Sequence, residues 1–186
     1  MKRFAVIALT LAAAFHGAAA CAQSNSPGTA AAIGATVAGI VECGEGYSSH
    51  ELYNVKVSVQ EILRGPPASE RLSAASEIPA PAADSEYLLA RVSFNFKARG
   101  KPGLCAHPLR PTQFKAISAA GVEYPRPDFS PPDPALTGEI KSGETLIGWL
   151  VYIVPRIDST PLLYFNVDEN GGVSHGGNLW FKLGAE

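Results

Sequence analysis

The side chains of this 186-residue chain best suited to chemistry are His50, His107 and His175, together with Cys21, Cys43 and Cys105. A Ser/His/Asp hydrolase would need one histidine within hydrogen-bond reach of a serine, with an acid orienting it from behind. Each histidine instead lies among Gly, Pro or Ser residues that read as loops, and no Gly-x-Ser-x-Gly elbow surrounds a serine. The expectation is therefore three exposed loop histidines. Asp168, Glu169 and Asn170 gather oxygen ligands ahead of Gly171 and Gly172, a composition that can hold calcium. The tract lacks the EF-hand spacing and reads as a solvated hairpin turn. His107 stands near Cys105, yet no Cys-x-x-Cys pair accompanies them, so zinc is not expected. With no phosphate loop or dinucleotide fingerprint either, the expected cofactor is none.

The cysteines take their meaning from the start of the chain. Residues 1–20 combine the cationic pair Lys2 and Arg3, an apolar run over 4–14 and a small-residue end, which is the anatomy of a secretory signal peptide. Cleavage before Gln23 would discard Cys21. Cleavage before Cys21 would leave it at the mature N-terminus and resembles lipoprotein processing, although Ala18 stands where such signals usually carry leucine. Residues 21–34, rich in small and polar side chains at their start, read as a flexible tether. In an exported chain the two remaining cysteines, Cys43 and Cys105, most simply form one disulfide.

These residues must be positioned by strands. Residues 143–155 hold the longest β-branched and aromatic run, with Thr145, Ile147, Trp149, Val151 and Ile153 on one face and Leu146, Leu150, Tyr152 and Val154 on the other. Both faces are largely apolar, so the strand belongs inside a sheet covered on both sides. Tyr53, Val55, Val57 and Val59 alternate with polar residues, as do Leu88, Ala90, Val92, Phe94 and Phe96, which predicts two strands with one wet face each. Shorter strands are expected over 35–43, 114–117, 122–124, 137–140, 162–167 and 179–183. Residues 66–85 are Pro- and Ala-rich and read as a crossing between sheets with at most a helical turn near 68–75. Residues 100–111 read as a loop, and the five prolines of 125–134 predict an exposed extended loop.

Removing Lys2 and Arg3 with the leader takes Lys plus Arg from 15 to 13 against 17 acids, a balance of -4 that gives no reason to expect a nucleic-acid partner. Short strands separated by turn signals predict an all-β fold, an antiparallel β-sandwich of about seven to nine strands over residues 35–186. The residues 53–65 ending in Leu-Arg-Gly, Glu86-Tyr87-Leu88-Leu89, Phe114 with Gly121 and Tyr124, Gly138-Glu139-Ile140, Gly143-Glu144 and Gly148-Trp149 together resemble the telokin-like, immunoglobulin-like domains of exported bacterial proteins. The resemblance implies a fold and no catalytic residues. It departs from antibody domains, because Trp149 follows both cysteines.

The function expected is a non-enzymatic exported domain in the periplasm, cell envelope or extracellular space, binding a protein or envelope component. Contact with a membrane is expected only through a lipid at Cys21. Tyr47, Tyr124, Phe129 and Trp180 are the aromatic residues near loops that could contribute to a binding patch. Two other readings remain open: an envelope hydrolase or metal-dependent enzyme using the loop histidines, and a secreted inhibitor or effector presenting the Pro-rich loops.

Overall fold

The computed structural model describes residues 24–44, 51–74, 77–100, 105–166 and 177–184. The long strands arise where alternation is cleanest: β2 (Glu51–Arg64), β3 (Ser85–Ala98) and β7 (Thr145–Pro155) join β1 (Thr36–Cys43) in an antiparallel sheet of order β1-β2-β3-β7. Facing it are the ribbon of β4 (His107–Leu109) with β6 (Gly138–Ile140) and a second sheet of β5 (Phe114–Ile117), β8 (Leu162–Phe165) and β9 (Leu179–Lys182) in the order β5-β8-β9. The result is an antiparallel β-sandwich. Tyr53, Val55, Val57 and Val59 of β2 and Leu88, Ala90, Val92, Phe94 and Phe96 of β3 all point into its interior, where Phe114, Leu163, Phe165 and Phe181 meet them. The alternation that marks these strands is thus the packing that holds them.

A second, smaller core lies on the outer face of the four-stranded sheet. Helix α1 (Pro66–Ser73) starts with prolines in its first turn, where missing N–H groups cost nothing, and buries Ala68 and Leu72, four residues apart on one face. These pack with Tyr87, Leu89, Trp149 and Val151, while Ile78 and Phe129 from the Pro-rich segments close the cluster. Both faces of β7 are therefore covered, with Leu150, Tyr152 and Val154 in the main core and Trp149 and Val151 in the second.

Three expectations change in the tertiary structure. The loop expected over 100–111 contains strand β4, made possible because His107 and Leu109 face the core and pair with Ile140 and Gly138. The loop over 125–134 is not simply exposed: Pro125 O accepts from Ile153 N at 2.9 Å and Phe129 sets its ring edge-on to Tyr87 with centroids 5.6 Å apart. The described part of the segment read as a tether is docked. Ser24 and Ala31 are buried, Trp180 N donates to Ser24 O at 3.0 Å, and Ala31 bridges Phe181 of β9.

The free edge of β7 is covered by backbone that comes unusually close. Trp149 N donates to Pro134 O at 2.8 Å and Leu136 N to Trp149 O at 3.1 Å. A Cβ on Gly148 would lie 2.5 Å from both Ala135 C and Leu136 N, a distance that only displacement of the 134–136 backbone could relieve. Gly148→Ala is expected to destabilise the fold by about 1 to 3 kcal/mol. Urea denaturation of the variant would measure this, and an unchanged midpoint would mean that the 134–136 backbone is not seated on β7.

Candidate functional site

Strand ends bring distant polar residues together at one end of the sandwich. There β2 finishes at Arg64, β3 begins at Ser85, β7 finishes at Pro155 and β8 begins at Leu162. Arg64 Nε donates to Glu86 Oε1, and its Nη2 donates to Pro155 O at 2.9 Å. Arg156 reaches the other oxygen of the same carboxylate, with Nη1 3.6 Å from Glu86 Oε2, and donates from Nε to Ala83 O at 3.2 Å. Gly65 makes this approach possible: its φ is +64°, and a Cβ there would stand 2.9 Å from Glu86 Oε2.

The next turn is fixed in the same way. Tyr124 OH donates to Asp158 Oδ2, while Asp158 Oδ1 accepts from Thr160 N at 2.9 Å and Asp158 N donates to Pro155 O at 3.1 Å. Burial, reinforced by the Asp158 carboxylate, pushes the Tyr124 hydroxyl well above the usual tyrosine range. Glu86 and Asp158 are each committed to neighbouring side chains and backbone, so the chemistry of this cluster is to hold turns in place.

The tips of those turns are apolar. Ile157, between Arg156 and Asp158, is 93% exposed; Val122, in the turn after β5, is 63% exposed; and Ile33, in the turn before β1, is 40% exposed. A shallow depression beside Ile33 is lined by Ala32, Lys182 and Gly184. Gly184 in turn abuts Ser159 O, which joins this corner to the β7–β8 turn. The sequence expectation of a loop-borne binding site does not single out these residues. Aliphatic side chains in turn sequences such as Arg156-Ile157-Asp158 and Gly121-Val122-Glu123 are the signal that could have done so.

The predicted site residues fall elsewhere. His107, expected in an exposed loop, is 4% exposed, stacked against Phe96 and Phe94 with centroids 5.3 and 6.0 Å apart, and accepts from the Gln113 amide across 3.3 Å. Burial lowers its pKa from 6.5 to about 4, leaving it neutral at pH 7. Its neighbour Cys105 is joined to Cys43, with Cα atoms 6.0 Å apart, and so is no metal ligand. Among the described residues no three His, Cys, Asp or Glu side chains converge as a metal site would require. Tyr124 is buried, Phe129 is half-buried in the second core, and Trp180 is half-buried against Tyr164 at 4.8 Å. Cys21, Tyr47, His50, the tract from Asp168 to Gly172, and His175 lie outside the described residues.

His107 makes stability depend on pH. Because its folded pKa lies below the unfolded value, the unfolded chain binds the extra proton between pH 6.5 and 4, so stability is full above pH 6.5 and falls as pH drops through this window. The loss is expected to be about 3 kcal/mol at most, from the fall in pKa from 6.5 to about 4. Denaturant unfolding at pH 7.5 and 4.5 would measure it, and His107→Phe should flatten the profile in that window. An equally steep profile in the variant would assign the pH dependence to other groups.

No family model matches the chain, and no curated protein does. Three solved structures are similar. A candidate lipoprotein of Bacillus subtilis, ycdA, aligns with a TM-score of 0.50 and 15% identity over 69% of this chain and 35% of its own. MPT63, a secreted protein of Mycobacterium tuberculosis, aligns with a TM-score of 0.43 and 16% identity over 70% of this chain and 83% of its own. An uncharacterized β-sandwich protein of Clostridium difficile aligns with a TM-score of 0.38 and 16% identity over 76% and 91%. The chain thus spans about a third of the length of the Bacillus protein, and at this identity the likeness is one of fold. The fold class expected from strand alternation, an antiparallel β-sandwich, is the one this chain adopts.

Proposed function

We propose that this chain is an exported immunoglobulin-like domain, of the telokin-like type, that binds a component of the cell envelope through the loop end of its sandwich and performs no catalysis. The observation that carries this reading is the set of turns pinned by Arg64, Glu86, Arg156, Tyr124 and Asp158 beneath exposed Ile157 and Val122. Turns already held in one geometry lose little conformational entropy on binding, which is how a rigid scaffold favours recognition. The leader over residues 1–20 and the Cys43–Cys105 disulfide support export, since paired cysteines persist in oxidising compartments.

The test is fractionation of the native host with thiols trapped by alkylation, combined with photocrosslinking from position 157 and from exposed Lys56 on β2. An extracytoplasmic protein with both thiols blocked, and crosslinks formed from position 157 only, is the expected result. Reduced thiols in a cytoplasmic protein would refute the export reading, and equal crosslinking from both positions would refute the assignment to the loop end.

A further inference from the structure

We infer that the loop end engages the lipid surface of the envelope directly, with Ile157, Val122 and Ile33 inserting at the headgroup boundary. The inference rests on the reading of an exported envelope domain and names its partner. Five large aliphatic side chains are exposed among the described residues, and three of them share this end, while Leu52 and Ile147 lie on the four-stranded sheet away from it. Each of the three sits on a turn closed by hydrogen bonds within the protein. Asp158 N bonds Pro155 O around Ile157. Val122 N donates to Ser118 Oγ at 3.1 Å, and Val122 O accepts from Ser118 N at 2.9 Å. Around Ile33, Ala35 N donates to Ala32 O at 3.1 Å and Gly34 N to Val59 O at 2.7 Å.

That pairing matters because backbone entering an apolar medium must find its hydrogen bonds within the protein. A protein-docking patch would instead be expected to centre on aromatic anchors. Tyr124, the tyrosine at this end, has its ring buried, and no aromatic side chain among the described residues is exposed to the degree of the three aliphatic tips. The start of the described chain points the same way. Ser24 is buried and bonded to Trp180, so only Ala22 and Gln23 separate it from Cys21, and an anchor at Cys21 would hold the domain against the bilayer. With a formal charge of -4 once Lys2 and Arg3 leave with the leader, the domain is not drawn to anionic lipid by its overall field, so the binding is apolar and insensitive to salt.

The experiment uses the full-length chain carrying Cys21→Ser, which removes any acyl contribution, purified after export. It is floated with vesicles of three parts phosphatidylethanolamine to one part phosphatidylglycerol at low and high salt. Flotation at both salts is expected, falling roughly tenfold in Ile157→Asp and in Val122→Asp and unchanged in Leu52→Asp. Because Ile157 is almost wholly exposed, a folded Ile157→Trp variant is available as a second readout; it should float at least as well and gain blue-shifted emission on vesicle addition. Absence of flotation, equal losses at positions 157 and 52, or emission from the Ile157→Trp variant that does not respond to vesicles would overturn the inference. Flotation confined to low salt would overturn it in favour of electrostatic attachment. Crosslinks from position 157 that end in a discrete envelope protein rather than lipid would overturn it too, while leaving the broader reading of an exported binding domain intact.

Discussion

Trp149→Ala is expected to lower the stability of the fold by about 3 to 5 kcal/mol, the range for removing a large aromatic side chain from a core. Trp149 is 4% exposed and lies in the second core with Ala68, Leu72, Tyr87, Leu89 and Val151. The Arg71 guanidinium sits 5.8 Å from its ring centroid, so α1 contacts the indole through both apolar and cationic groups. Alanine would keep the backbone bonds of residue 149 to Pro134 and Leu136, and the whole loss would fall on packing. Its first consequence should be the release of α1, since an eight-residue helix has little stability apart from the face it buries. Urea unfolding gives the magnitude, and amide exchange in α1 shows where it is felt. A wild-type midpoint would mean that the indole is not part of the core.

Breaking the Cys43–Cys105 disulfide is the second large effect, expected to cost about 4 kcal/mol for a sequence separation of 62 residues in the chain-entropy account. The bond fastens the end of β1 to the chain entering β4, two strands that belong to different layers. Cut, the unfolded chain would gain freedom over the whole span containing β2, α1 and β3. Tyr53, stacked on Phe96 with centroids 4.2 Å apart and bonded to Glu51 at 2.6 Å, would keep part of this corner in place. The fall in denaturant midpoint on adding reductant should match the fall in the paired Cys43→Ala and Cys105→Ala variant. A loss below about 1 kcal/mol in both would show that the span is already restricted in the unfolded chain.

The long strands and the class of fold are written in local sequence pattern. Alternation over Tyr53 to Val59 and Leu88 to Phe96, and the two-sided run ending at Pro155, are local patterns that directly encode which face is buried. The two cysteines could likewise be paired by parity, because nothing else in the predicted mature chain competes for them.

Short elements were another matter. Strand β4 has three residues, too few to show a period, and becomes a strand only because β6 pairs with it. His107 carried no mark of burial among Gly and Pro residues, and its place between Phe96 and Gln113 is a property of the assembled layers. The Pro-rich segment 125–134 reads as exposed because proline signals irregular backbone; whether that backbone faces water depends on the apolar outer face of β3 and β7 that it happens to cross.

The candidate site was decided by tertiary structure alone. Arg64 and Glu86 are 22 residues apart, and Arg64 reaches the carbonyl of Pro155 across a separation of 91. No spacing rule links such residues, because their meeting depends on strand order, register and the hand of the sandwich. Exposure of Ile157 has the same origin. An isoleucine between Arg and Asp could end a buried strand or crown a turn, and only the hydrogen bonds of Pro155, Asp158 and Tyr124 place it at the tip.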